Sequence, residues 1–207
     1  ISEDHPKNPI NPYGQSKLMV EKMLIDICSA YDFNTTCLRY FNAAGAHESG
    51  DIGEDHEPET HLIPNIINAA FSDKSNLKVF GDDYSTPDGS CIRDYIHVSD
   101  LAQAHMLSFE HMKKNTGFSA FNIGNGIGFS VFELIKSCEK FANKKISYEI
   151  VKRREGDPPI LISHNKHACD VLNWKPENSD INKIIESSWA WHKKTYVKKT
   201  HRIKTNI

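Results

Sequence analysis

The chain has 207 residues, of which 39% are hydrophobic and 25% charged, and its formal net charge is −2. This composition excludes a disordered chain and a general electrostatic attraction to nucleic acid or anionic lipid, and no apolar run reaches the roughly 18 residues of a membrane span. The five cysteines are scattered and form no CxxC pair. They favour a reduced, cytoplasmic protein without a disulfide framework.

Predicted strands and helices alternate along the chain, which indicates an α/β fold. The predicted elements are, in order, a helix over 13–31, a strand over 35–41, a polar loop over 45–59, a helix over 61–71, a strand over 77–80, an extended segment over 94–98, a helix to about 112, a strand over 120–123, a helix from 131, a strand over 146–151 and a helix from 180. Ser99 or Asp100 is the predicted cap of the third helix, and Ser130 with Glu133 predicts a capping box.

Residues 193–207 carry six basic side chains and no acidic one. They also lack apolar periodicity, so they offer little surface that could offset the entropy of ordering them. We predict a disordered basic tail, and a nucleic-acid-binding arm is the alternative interpretation.

Tyr13 and Lys17 lie four residues apart, so they share one face of the first helix and can reach one ligand. They continue an apolar stripe formed by Val20, Leu24 and Ile27. A lysine on a buried face is costly unless it has a function. The alternative is that Lys17 extends to solvent from the first turn of the helix.

Two patterns that could indicate ligand sites receive little weight. Gly124, Gly126 and Gly128 follow a predicted strand, but Phe129 stands where the GxGxxG phosphate-binding pattern requires glycine. Eleven histidines occur without an HExxH or CxxC motif. We therefore predict no metal site and expect His164 and His167 on the surface.

Six runs of sequence, in a fixed order, carry a family resemblance: PYGQSK, LRYFNAAGAH, PETHLIP, VFGDDYSTPDGSCIRDYIHVSDLA, FNIGNGIGFSVFELI and RREGDPP. Together they resemble the extended short-chain dehydrogenase/reductase superfamily, and within it the UDP-glucose 4-epimerases, over about residues 8–193. The resemblance implies the C-terminal part of an NAD-binding Rossmann-type fold plus a smaller mixed α/β nucleotide-sugar-binding domain. Residues 1–60, with the strand near 119–123, would belong to the first, residues 61–192 mainly to the second, and residues 193–207 to the tail.

The resemblance also implies roles for single residues. Tyr13 would be the catalytic acid/base, Lys17 would bind the nicotinamide ribose, and Phe41 would lie against the NAD cofactor. The implied substrate-binding residues are Asn42, His61, Leu62, Lys78, Val79, Phe80, Arg93, Arg154, Asp157 and Leu161. Arg93 and Arg154 would hold the diphosphate, because a guanidinium binds phosphate in bidentate fashion. Leu161 would set the space beside the sugar C2 substituent.

The implied activity is the interconversion of UDP-galactose and UDP-glucose through a 4-keto sugar and bound NAD, in a cytoplasmic homodimer with no nucleic-acid or membrane partner. A related nucleotide-sugar epimerase or dehydratase and a non-catalytic UDP-sugar-binding module are the alternatives. The chain opens with Ile1 and contains neither the family's glycine-rich loop nor its Ser or Thr before the tyrosine. We therefore expect a C-terminal fragment that is inactive and poorly folded by itself.

Overall fold

A computed structural model describes residues 1–72 and 77–205, with side chains described through Tyr196. The helices are α1 Pro12–Ala30, α2 Leu62–Phe71, α3 Val98–Met112, α4 Val131–Ala142, α5 Lys166–Leu172 and α6 Ile181–Thr205. The strands are β1 Thr35–Tyr40, β2 Asn42–Ala44, β3 Leu77–Phe80, β4 Ile92–His97, β5 Phe118–Ile123, β6 Gly128–Ser130, β7 Tyr148–Val151 and β8 Ile160–Leu161. Within this part of the chain, none of the helices combines the length and apolarity that a membrane crossing requires.

The α/β fold class is confirmed, and the longer predicted elements agree with the structure to within a few residues. The capping box is also confirmed: the Ser130 hydroxyl accepts the Glu133 amide at 3.1 Å, and the Glu133 carboxylate accepts the Ser130 amide at 2.8 Å. The cap of α3 differs from the prediction, because His97 occupies the cap position and accepts the Ser99 amide. The sequence analysis missed β2, β6, β8 and α5, which have two to seven residues each.

The strands pair mostly in parallel. β1 pairs with β5 in parallel over six residue pairs, from Thr35 opposite Phe118 to Tyr40 opposite Ile123. β4 pairs in parallel with β2 and β8 and antiparallel with β6. β3 pairs in parallel with β7. The carboxyl ends of β1 and β5 therefore lie at the same edge, which is where open α/β sheets bind ligands.

Two hydrophobic cores meet at β4. Tyr95 packs in a core formed mainly by α2, α4 and α6, whereas its neighbour Ile96 packs in a core formed by α3, α5, β5 and Trp174. Consecutive residues of a strand face opposite sides, so one strand can contribute to both cores. Segments that belong to the two cores follow one another in alternation along the sequence. The division into two domains between residues 60 and 61 stays a prediction.

Helix α1 is attached to the fold by ionic contacts. All of its residues are at least partly exposed, including Tyr13 at 72%, and Tyr31, which caps its carboxyl end, is 71% exposed. The Glu21 carboxylate accepts two hydrogen bonds from Arg39, at 2.7 and 2.8 Å, and one from Lys7 at 2.9 Å. The hydrogen bond from Arg39 is the main reason that the pKa of Glu21 lies below its ordinary value. In the predicted apolar stripe, Val20 and Ile27 are exposed and Leu24 is half-buried.

The end of the chain differs from the predicted disordered tail, because α6 continues through Thr205. Its side chains bind the loop that precedes α2: Lys194 donates hydrogen bonds to the Gly50 carbonyl at 2.9 Å and to the Asp51 carboxylate at 2.7 Å. The Tyr196 ring also lies 5.3 Å from that of Phe71. Lys194 and Tyr196, which lie beyond Lys193, therefore contact the rest of the fold. The distribution of charge along the sequence does not predict these contacts. Residues 206–207 lie outside the described residues.

Buried His97 links β4, α3 and α6 and should make the stability of the fold sensitive to acid. Its Nδ1 accepts the Ser99 amide at 3.1 Å, and its Nε2 lies 3.1 Å from the Ser187 hydroxyl. Burial lowers the pKa of His97, against the opposing effect of Asp100. A protonated Nδ1 cannot accept a hydrogen bond, so acid removes the cap of α3.

We expect the free energy of unfolding to be highest above the ordinary histidine pKa of about 6.5. It should fall as the pH decreases through that value, because the unfolded chain then binds the proton more tightly, and level off below the lowered pKa of the folded state. One proton accounts for a slope of at most about 1.4 kcal/mol per pH unit. Urea unfolding of the whole protein should show a smaller slope in His97→Gln than in wild type. The matched control is His164→Gln at an exposed position, and equal slopes in all three proteins would refute the assignment.

Candidate active site

A cavity of about 680 Å³ opens between α2, β3, β4 and residues 154–157. Nine of the ten predicted substrate residues line it: Asn42, His61, Leu62, Lys78, Val79, Phe80, Arg93, Arg154 and Asp157. These residues span more than a hundred positions of the sequence, so the fold is required to bring them together. Leu161 is not among the lining residues; it lies half-buried in β8, in register with Arg93 of β4.

Strand β3 presents its residues to the cavity according to the two-residue period of a strand. Leu77 and Val79 are buried in the first core, Lys78 is exposed, and Phe80 is half-buried at the carboxyl end. Helix α2 contributes Leu62 and Asn65 from its first turns. The floor of the cavity is therefore apolar, and its rim is polar.

The cavity carries an excess of positive charge. The Arg93 guanidinium is 13% exposed, lies 3.7 Å from the Asp157 carboxylate and donates to the Ile92 carbonyl at 2.9 Å. The Arg154 guanidinium lies 3.9 Å from the centre of the Phe80 ring, a cation–π contact. Lys78 adds a third cation. A cluster of this kind suits a diphosphate, which arginine binds through paired hydrogen bonds.

The neighbouring Arg153 does not line the cavity. It lies over the ring of Tyr84, with 4.2 Å between the guanidinium carbon and the ring centre, and its Nε donates to the Asp83 carboxylate at 2.5 Å. Two consecutive arginines therefore face different partners, and only Arg154 lies in the candidate site.

The sequence analysis missed several cavity residues, including Asn65, Cys91 and Tyr95. Burial raises the pKa of the Cys91 thiol and of the Tyr95 phenol, so both groups stay protonated near neutral pH. Asn65 could have been found, since it lies four residues after His61 and asparagine is a poor helix former. Tyr95 lies in β4 and Cys91 directly precedes it, and neither residue carries a comparable signal.

Asp94 organises the turn behind the cavity. Its fully buried carboxylate accepts the amides of Asn125 and Gly126 at 2.8 and 3.0 Å, and the amide and hydroxyl of Ser163 at 3.0 and 2.6 Å. Its carbonyl accepts a hydrogen bond from Asn42, which lines the cavity. The glycine-rich turn after β5 therefore directs its amides at an internal carboxylate. A side chain at Gly124 would also collide with Ser163 and Asp94.

Tyr13, Lys17 and Phe41 lie outside the set of residues that line this cavity. Asn11 caps α1 through the Gly14 amide at 2.8 Å, and Pro12 fills the first helical position. Tyr13 and Lys17 follow on one face, with the ammonium 5.1 Å from the centre of the phenol ring. Phe41 follows β1, and its amide donates to the Ile123 carbonyl at 3.0 Å. It thus lies at the carboxyl ends of the parallel pair β1 and β5.

Comparison with known proteins assigns a family to this arrangement. The family model described as NAD dependent epimerase/dehydratase family matches residues 1–124. The chain belongs to the NAD dependent epimerase/dehydratase family. A curated UDP-glucose 4-epimerase of Halalkalibacterium halodurans is 49% identical over 193 residues, which is 93% of this chain and 58% of that relative.

Solved structures of family members have the same fold. The UDP-glucose 4-epimerase of Brucella ovis in complex with NAD superposes with a TM-score of 0.86 at 46% identity, over 91% of this chain and 58% of that one. The enzyme of Bifidobacterium longum in complex with NAD+ and UDP gives a TM-score of 0.89 at 41% identity, over 94% of this chain and 58% of that one. The chain thus spans somewhat more than half the length of these epimerase/dehydratase family members.

Proposed function

We propose that the protein containing this chain is a UDP-glucose 4-epimerase, which interconverts UDP-galactose and UDP-glucose through a transient 4-keto sugar. The observation that carries the proposal is the cavity at α2, β3 and β4, which gathers nine residues selected from sequence motifs. Relatives at 41–49% identity that carry this name support it.

The cavity residues have the chemistry that a UDP-sugar requires. Arg93 and Arg154 would hold the diphosphate, and Asp157 would orient Arg93 through their 3.7 Å ion pair. Phe80 offers a ring face for the uracil base, with β3 backbone groups beside it. Asn42, whose amide nitrogen is held by the Asp94 carbonyl at 2.8 Å, would present its side-chain oxygen to the nucleotide sugar.

The residues of α1 fit a role next to the cofactor. Tyr13 and Lys17 share an exposed helix face, and Phe41 lies at the sheet edge where α/β folds bind dinucleotides. NAD, when bound, supplies a reversible hydride acceptor. Tyr13 would take the proton of the sugar 4-hydroxyl and later return it, while the positive charge of Lys17 stabilises the phenolate form.

Conversion of UDP-galactose to UDP-glucose by the purified whole protein tests the proposal. We expect turnover without added reductant, because the reaction has no net redox change. Conversion of a UDP-sugar to a dehydrated product would favour a related dehydratase. Tight UDP-sugar binding without any turnover would indicate a binding module and would contradict the proposed function.

We expect Leu161 to favour the non-acetylated sugar pair, because leucine is apolar and cannot donate a hydrogen bond to an acetamido carbonyl. When an apolar site distinguishes two substrates by shape alone, their kcat/KM values differ by about 10–200-fold at most. Leu161→Ser should shift the kcat/KM ratio toward N-acetylated UDP-sugars by about 10-fold, and Leu161→Tyr should shift it the other way.

The matched control for this prediction is Ile160→Ser. Ile160 is the other residue of β8 and faces the opposite side of the strand, where it is 46% exposed. It should leave the ratio unchanged. An unchanged ratio in both Leu161 variants would remove this residue from the specificity site.

We also propose that the whole protein is a homodimer whose interface includes α1. The support is its exposed apolar surface, with Val20 and Met23 at 51% and 62% exposure. Surfaces of this kind on a helix are usually covered by a partner. Sedimentation velocity should show a dimer for the whole protein. The Met23→Glu variant should dissociate into monomers more readily.

A further inference from the structure

A group of two histidines and two glutamates lies at the rim of the cavity. Glu54, His56, Glu59 and His61 each offer one ligand atom, and these atoms all lie within 4.8 Å of one another. Glu59 and His61 line the cavity, whereas Glu54 and His56 lie in the loop that precedes α2. We propose that these four side chains bind one divalent cation of the zinc class, and this proposal does not depend on the proposed function.

The spacing of the donor atoms suits a four-coordinate cation. Ligands bound to Zn²⁺ at about 2.0–2.2 Å in a tetrahedron lie about 3.3–3.6 Å from one another. His56 Nδ1 lies 3.0 Å from a Glu54 oxygen and 3.7 Å from a Glu59 oxygen. His61 Nδ1 lies 3.9 Å from the other Glu59 oxygen and is in direct contact with Glu54. Three of these separations are close to the tetrahedral values, and binding of an ion requires the Glu54 and His61 ligand atoms to move apart to about 3.3–3.6 Å.

The charges of the group also favour a metal ion. The Glu54 and Glu59 side chains are 17% and 11% exposed, so both carboxylates need nearby positive charge. A divalent cation supplies two positive charges, and the rings of His56 and His61, with centres 5.2 Å apart, supply nitrogen ligands beside the carboxylates.

The surrounding structure orients the ligands. One oxygen of Glu59 accepts the amides of Thr60 and His61, each at 2.8 Å, and the other faces His56. The Glu54 backbone is held by Trp191 of α6, whose indole donates to the Glu54 carbonyl at 2.8 Å. Such outer contacts fix ligand geometry in metal sites. The donor set of nitrogen and oxygen is one that Zn²⁺ accepts.

The sequence analysis predicted no metal site because it looked for HExxH and CxxC. The four residues here occupy positions 1, 3, 6 and 8 of a loop segment, a spacing that matches neither motif. The family resemblance assigns His61 to the substrate. In the structure its Nδ1 contacts Glu54, so the imidazole faces the carboxylates of this group.

The test is Zn²⁺ binding by the whole protein, purified without a histidine tag and freed of metal with a chelator. We expect one equivalent of Zn²⁺ per chain and a higher melting temperature on addition of the ion. His56→Ala and the isosteric Glu54→Gln should each weaken binding by about 100-fold or more. The matched control is His47→Ala, an exposed histidine in the same loop, which should bind as wild type.

Substitution with Co²⁺ distinguishes this site from the cysteines. We expect the visible absorption of tetrahedral Co²⁺ without a thiolate charge-transfer band, and its loss in Glu54→Gln and His56→Ala. Circular dichroism verifies that each variant is folded, and a second variant, His61→Asn, tests the site if one of the others unfolds. A thiolate band, equal binding by wild type and the folded variants, or the absence of Zn²⁺ binding by the wild type would overturn the proposal.

Discussion

Replacing Tyr13 by phenylalanine in the whole protein should lower kcat for UDP-galactose by about 100-fold or more, the usual contribution of a positioned acid/base. The variant removes one hydroxyl from an exposed position at the start of α1. It leaves the Asn11 cap and the ionic contacts of Glu21 in place. Stability should therefore change little, and KM should stay close to the wild-type value because the cavity residues are unaltered.

The same helix supplies the control for this experiment. Tyr31 lies at its other end, with nearly the same exposure as Tyr13, and Tyr31→Phe should retain full activity. Lys17→Met should resemble Tyr13→Phe if Lys17 has the proposed role, because it removes the positive charge beside the phenol ring. Near-wild-type turnover by Tyr13→Phe would exclude the tyrosine as the proton-transfer group.

Local sequence patterns were sufficient to predict those features that depend only on residues close together in the sequence. The strand predicted over 77–80 is present as β3, in which Val79 is buried and Lys78 is exposed. The capping pattern of Ser130 and Glu133 fixed the start of α4 in the same way. The motif order added the arginines and Asn42, so nine of the 19 residues that line the cavity could be named before the fold was known.

Other features depend on contacts that no local pattern encodes. The apolar stripe of α1 predicts a covered face, but a helical period does not say whether the partner lies in the same chain. The order of α6 beyond Lys193 depends on a loop more than 140 residues earlier in the sequence. The cluster at Glu54 and His61 depends on how that loop folds back onto α2. Long-range geometry of this kind becomes visible only in the structure.

Asp94 has the largest expected effect on stability. Asp94→Asn should lower the free energy of unfolding by about 1–3 kcal/mol, because it places an amide donor against N–H and O–H donors in a fully buried site. The oxygen that accepts from Gly126 and from both groups of Ser163 makes three of the four hydrogen bonds. Either orientation of the asparagine amide therefore leaves at least one buried donor without an acceptor. Urea unfolding of the whole protein measures the loss.

The matched control is Asp170→Asn. Asp170 forms an exposed ion pair with Lys166 at 2.7 Å, and its side chain is 59% exposed, so the substitution should change the free energy of unfolding by less than about 1 kcal/mol. Asp94→Asn should also weaken UDP binding, because the Asp94 carbonyl holds Asn42 and its neighbour Arg93 lies in the cavity. If Asp94→Asn unfolds at the same urea concentration as Asp170→Asn, the turn after β5 does not depend on this carboxylate. In that case the buried amide and hydroxyl of Ser163 must obtain their acceptors elsewhere, because buried polar groups are rarely left unpaired.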